Sequence, residues 1–202
     1  MKKKFLNYSL NIIREYYPNI DEIRMDELRY GLEGFYITIT KLIIISILAL
    51  IFNTFREMII MLIIFNILRI TGFGLHATKS SICLVSSSLI FVIFPILSKI
   101  IIIPTIIKIL LGVIAIILIY MYAPADTKKR PIIYKGKRDF YKFVTTLNTI
   151  ILVYISIFIN NNLLSNLIIF GIYCEVLMIL PITYKLFNLP YDNYKNYILN
   201  KV

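Results

Sequence analysis

His76, the only histidine of the chain, stands seven residues before Cys83, one of two cysteines, in a polar interruption between two hydrophobic runs. An imidazole and a thiol in one polar break are the raw material of a thiolate nucleophile and its base. In one straight helix, residues seven apart stand about 10 Å from each other, beyond the hydrogen-bond reach the pair needs. A bend must therefore lie between them. Gly72 and Gly74 supply backbone freedom, and Thr78, Lys79, Ser80 and Ser81 supply helix-capping side chains. The expectation is a span that ends near Arg69, a turn that carries His76, and a helix starting at Ser80 or Ser81 with Cys83 in its first turn. There the helix dipole and a nearby imidazole would both favour thiolate. Cysteine is also a common packed residue of buried helices, and a lone histidine often serves a backbone carbonyl, so spacing alone leaves both readings open.

The elements that position this pair belong to a membrane. The chain has 202 residues, 59% of them hydrophobic and 16% charged, with a mean hydropathy of +0.80; no soluble core hides that much apolar surface. Apolar runs at 35–52, 58–70, 82–97, 100–121, 143–159 and 163–187 predict an all-α, polytopic membrane protein of about six transmembrane helices, a span needing about 17 to 25 residues. Residues 5–17 suit an amphipathic helix in the headgroup region, ended by Pro18, and 21–33 a second short helix before the first span. Asn7, Ser9, Asn11, Arg14 and Glu15 interrupt any signal-peptide core. The expected organisation is one domain over 1–202: interfacial helices at 1–34, a bundle at 35–187 and a tail at 188–202.

Lysine and arginine collect before the first span and between residues 128 and 142, which predicts both termini and the basic loop on the cytoplasmic side of the membrane. The net charge of +11 flanks hydrophobic spans, so it implies membrane lipid and topology, not nucleic acid. One histidine and two cysteines are too few soft ligands for zinc, and no cofactor is expected. Glu175 within the last run calls for an interior partner, for which Lys41 and Lys108 are candidates. Cys174 beside it reads as a packed thiol. Asp126, with Pro124 and Pro131, reads first as punctuation that shapes the basic loop.

Two segments resemble the hallmarks of a known family. Gly74-Leu75-His76-Ala77 followed by Cys83, and Tyr122-Ala123-Pro124-Ala125-Asp126-Thr127-Lys128-Lys129-Arg130-Pro131-Ile132, resemble the signatures of accessory gene regulator B (AgrB), membrane cysteine peptidases that process quorum-sensing propeptides. The resemblance covers essentially the whole chain and departs at Phe73, where many relatives carry glycine. It implies Cys83 as nucleophile and His76 as base. Arg29-Tyr30-Gly31-Leu32-Glu33 resembles a further family block, which makes Glu33 a candidate to orient His76 or the scissile peptide. The implied substrate is an AgrD-like propeptide, cleaved through a Cys83 thioester and cyclised to a thiolactone or lactone. An acidic tail on it would dock at Lys128, Lys129 and Arg130. The implied site lies near the cytoplasmic face, and a homodimer is one arrangement for so small a chain. A small transporter or exporter component and a non-enzymatic scaffold would share the spans without needing His76 or Cys83.

Overall fold

The computed structural model describes residues 2–75, 80–127 and 131–195, with the backbone alone at 80–83. The described residues are helical: α1 (Lys2–Tyr16), α2 (Glu22–Ile51), α3 (Phe55–Gly72), α4 (Ser80–Ile100), α5 (Thr105–Tyr122), α6 (Lys135–Phe158), α7 (Asn162–Ile179) and α8 (Pro181–Leu186). Contacts divide the chain into two units, Met1–Ile47 and Leu48–Val202.

In the first unit α1 stops before Pro18, as its missing amide requires. It folds back along α2: the Phe5 and Tyr36 rings lie 5.3 Å apart, Lys2 pairs with Glu33 and Arg14 with Glu22. The short helix expected at 21–33 is not separate. Its acidic, amphipathic turns run without a break into the apolar stretch of α2, because Gly31 and Gly34 are tolerated inside a helix that has no proline.

In the second unit α7 is the central helix, packed against α3, α4, α5, α6 and α8. Leu167, Ile172, Glu175 and Ile179 are fully enclosed. Glycines let the helices close on it and on each other. A Cβ on Gly171 would stand 2.7 Å from Cγ2 of Ile64 on α3, and one on Gly112 of α5 would strike Val153 of α6. The outward faces of α5 and α6 carry exposed residues such as Ile106, Leu110, Val113, Phe143, Tyr154 and Phe158, the surface a bilayer would cover.

Helices α2, α5, α6 and α7 are each long and apolar enough to cross a membrane, and 84–100 of α4 forms a shorter apolar helix. Helix α3 carries Arg56, Glu57 and Arg69 near its ends. Each apolar run of the sequence thus lies largely in a helix, with three differences. The run expected at 100–121 is helical as α5 only from Thr105, because Ile100 closes α4 and 101–104 are not helical. The last run breaks at Pro181, which starts α8, since proline cannot donate back into α7. The basic stretch is loop only in part: Lys135, Lys137, Arg138 and Lys142 belong to α6. Aromatic faces hold three of these cations, Lys137 over Tyr134 at 5.6 Å, Arg138 over Tyr194 at 3.4 Å and Lys142 over Tyr120 at 4.2 Å.

Candidate active site

The chain leaves α3 at Gly72 and passes through Phe73, Gly74 and Leu75 outside any helix. This short stretch is fixed from two sides. Phe73 forms a parallel bridge with Ala125, in which the Ala125 amide donates to the Gly72 carbonyl at 3.0 Å and the Gly74 amide to the Ala125 carbonyl at 2.7 Å. The Leu75 amide then donates to the Met178 carbonyl near the end of α7 at 2.8 Å. Arg69, in the last turn of α3, holds the other edge: its Nη2 donates to the carbonyls of Gly74 at 3.2 Å and Leu75 at 2.6 Å.

Glycine is needed where the stretch passes this close. Gly74 has φ +93°, and a Cβ there would meet Arg69 Nη1 and stand 2.7 Å from the Met178 carbonyl oxygen. Phe73 has φ +59°, a left-handed value that favours glycine. Its ring packs edge-on against Tyr141 at 5.1 Å.

The partner of Glu175 is Arg69, with Nη1 3.6 Å from Oε2, and not Lys41 or Lys108. A charge one turn from the end of α3 reaches into the bundle, whereas Lys108 sits in the first turn of α5, towards the opposite end of the helices. Cys174 is a buried free thiol.

Asp126 organises the segment beside this stretch. Its carboxylate accepts the backbone amides of Asn193 at 2.9 Å, Tyr194 at 2.8 Å and Ile132 at 3.4 Å, with Arg138 Nη1 3.9 Å away. Its carbonyl accepts the Tyr184 hydroxyl at 3.0 Å. Burial pushes the Tyr184 and Tyr191 phenols above the ordinary tyrosine range. Residues 188–195, expected as a tail, are therefore docked on the 122–132 segment, with a cavity of about 310 Å³ between them lined by Tyr122, Pro124, Arg138, Lys142, Tyr191 and Tyr194.

Of the residues singled out by sequence, His76 lies outside the described residues, as do Lys128, Lys129 and Arg130. Cys83 is the fourth residue of α4, which begins at Ser80. Glu33 lies on α2 in the first unit, half-exposed and paired with Lys2.

The family model of accessory gene regulator B matches residues 6–179. The chain belongs to the accessory gene regulator B family. It is 35% identical over 175 residues to an AgrB-like protein of Clostridium acetobutylicum, covering 87% of this chain and 84% of that one. An AgrB-like protein of Listeria monocytogenes serotype 4a is 33% identical, covering 88% and 87%. The accessory gene regulator protein B of Staphylococcus epidermidis is 31% identical, covering 81% and 84%. No solved structure matches.

For this AgrB-family chain the junction of the two hallmark segments adds residues that the sequence did not announce. Arg69 reads in sequence as the end of a span; its signal is a cation kept close to an apolar run that also has a carboxylate to neutralise. Tyr184 and Asn193 gave no signal, because what they hold lies far away in the chain.

Proposed function

We propose that this chain is a membrane cysteine endopeptidase that processes an AgrD-like propeptide, with Cys83 as nucleophile and His76 as base. The observation that supports the reading best is the bridge between Phe73 and Ala125: it joins the chain leading to His76 to the second hallmark segment, so two motifs distant in sequence serve one junction. The position of Cys83 near the described start of α4 adds support, since a helix N-terminus favours a thiolate.

The Cys83 thiolate adds to the scissile carbonyl. As the C–N bond breaks, His76 gives its proton to the leaving amine, so the C-terminal fragment departs as a free amine and the N-terminal part stays as a Cys83 thioester. An internal cysteine or serine of the peptide passes its proton to His76 and attacks the thioester. The product is a cyclic thiolactone or lactone, and Cys83 leaves as thiolate. Water must lose to the internal nucleophile, a reason for the reaction to run at the membrane edge. By the distribution of basic residues, that edge and both termini are cytoplasmic. Lys128, Lys129 and Arg130 attract an acidic tail on the propeptide, and Glu33 orients the imidazole or the peptide. The peptidase needs no cofactor.

Intact mass spectrometry of the purified protein incubated with its candidate AgrD-like propeptide tests the reading. The expected result is an acyl adduct and a released C-terminal fragment in wild type, and neither in Cys83→Ala or His76→Ala. Processing by Glu33→Gln at the wild-type rate would remove that carboxylate from the mechanism. Absence of cleavage in wild type would turn attention to transport or scaffolding.

A further inference from the structure

The backbone amides of Gly74 and Leu75 are already taken by Ala125 and Met178. Their carbonyls are held by one side chain, Arg69, through a single nitrogen at 3.2 and 2.6 Å. The other nitrogen of that guanidinium faces Glu175. Glu175 is fully buried in α7, and neither of its oxygens accepts a hydrogen bond among the described residues.

A buried carboxylate in an apolar helix is costly, and replacing such a pair by apolar residues often leaves a fold as stable or more so. Stability alone is a weak reason to keep it. The fold also makes room for it: a Cβ on Gly72 would stand 2.5 Å from Oε1 of Glu175. The contact sets the guanidinium between two sites: Nη1 lies 3.6 Å from the Glu175 carboxyl, while Nη2 donates to the two carbonyls immediately before His76.

We propose that Glu175 is a positioning residue of the reaction, acting through Arg69 on the Gly74 and Leu75 carbonyls to set the direction in which the chain enters His76. The inference rests on the cysteine-peptidase reading. Glu175 touches neither thiol nor substrate in this scheme. Misplacing an imidazole by a fraction of its hydrogen-bond length costs the thiolate its partner.

The test is alkylation of Cys83 by iodoacetamide in the full-length detergent-solubilised protein, followed by mass spectrometry across pH 5 to 9 (roughly the range in which cysteine–histidine pairs titrate). Wild type is expected to alkylate well below the range of a free thiol. Glu175→Gln should alkylate at least about tenfold more slowly at the acid end and reach the wild-type rate at the alkaline end. Glu57→Gln, which breaks the ion pair with Lys99 at the far end of α3, should leave the profile unmoved. Should Glu175→Gln lose its thermal unfolding transition, Arg69→Lys is read in its place: it keeps the charge but not the fork, and the same shift is expected. A variant that folds and keeps the wild-type profile overturns the inference. If wild type itself behaves as a free thiol, the cysteine–histidine reading fails first.

Discussion

The carboxylate of Asp126 accepts the backbone amide of Asn193 at 2.9 Å across 67 residues of sequence. A carboxylate that also holds the amide of Tyr194 is a clamp for the docked C-terminal segment. An amide in its place can offer only one acceptor atom to the two. Asp126→Asn should therefore cost about 2 kcal/mol and free residues 188–195 first. Limited trypsinolysis at Lys185, which is exposed in α8, should be at least about tenfold faster in the variant. Equal cleavage rates would show that other contacts hold the segment.

Tyr184 donates to the carbonyls of Ala125 and Asp126 at 3.3 and 3.0 Å, and can do so only while protonated. Burial raises its phenol above the ordinary value near 10. The sign follows from linkage: the contribution is fully present below the pH at which an unfolded tyrosine ionises, and is lost as pH rises towards the folded value. Stability against thermal unfolding should therefore fall above about pH 10. Tyr184→Phe should lower stability at neutral pH by about 1 kcal/mol and flatten that alkaline slope; an unchanged slope assigns it to other tyrosines.

Phe73 combines a left-handed φ of +59° with an edge-on contact to Tyr141. Glycine and alanine both delete the ring, and only glycine relieves the backbone. Phe73→Gly should be more stable than Phe73→Ala by at least about 1 kcal/mol, the reverse of their order inside a helix. Thermal unfolding of the two variants in the same detergent checks this.

Gly171 on α7 faces Ile64 on α3. Gly171→Ala should destabilise by about 1 to 3 kcal/mol through overpacking, and Ile64→Ala in the same chain should recover part of that loss, giving a favourable coupling in a double-mutant cycle. Strict additivity would mean that α3 and α7 separate freely at this point.

Much of this was legible in the sequence for local reasons. Apolar runs longer than a few turns have no option in lipid but helix, so each expected run supplies most of one of the helices α2 to α7, although α5 starts late, at Thr105. Gly72 and Gly74 announced the break at the end of α3. The end of α7 was misread because Leu180, Ile182, Leu186 and Phe187 continue the apolar composition past Pro181, and hydropathy does not register a missing amide. The pairing of Glu175 was misread because the first-span and fifth-helix lysines are equally charged in sequence, and only packing brings Arg69 next to it. The family resemblance carried Cys83 and His76, but nothing local could show that residues 73 and 125 share a bridge.

The docking of residues 193 and 194 on Asp126 also has a meaning in time. The ribosome delivers the chain from its N-terminus, and α3 to α7 can enter a bilayer as they emerge. The segment between α5 and α6 cannot reach its final packing then, because the amides of Asn193 and Tyr194 that Asp126 holds are synthesised after α7. The face of the second unit that carries residues 73–75 and 122–127 is thus completed last, by residues 193 and 194.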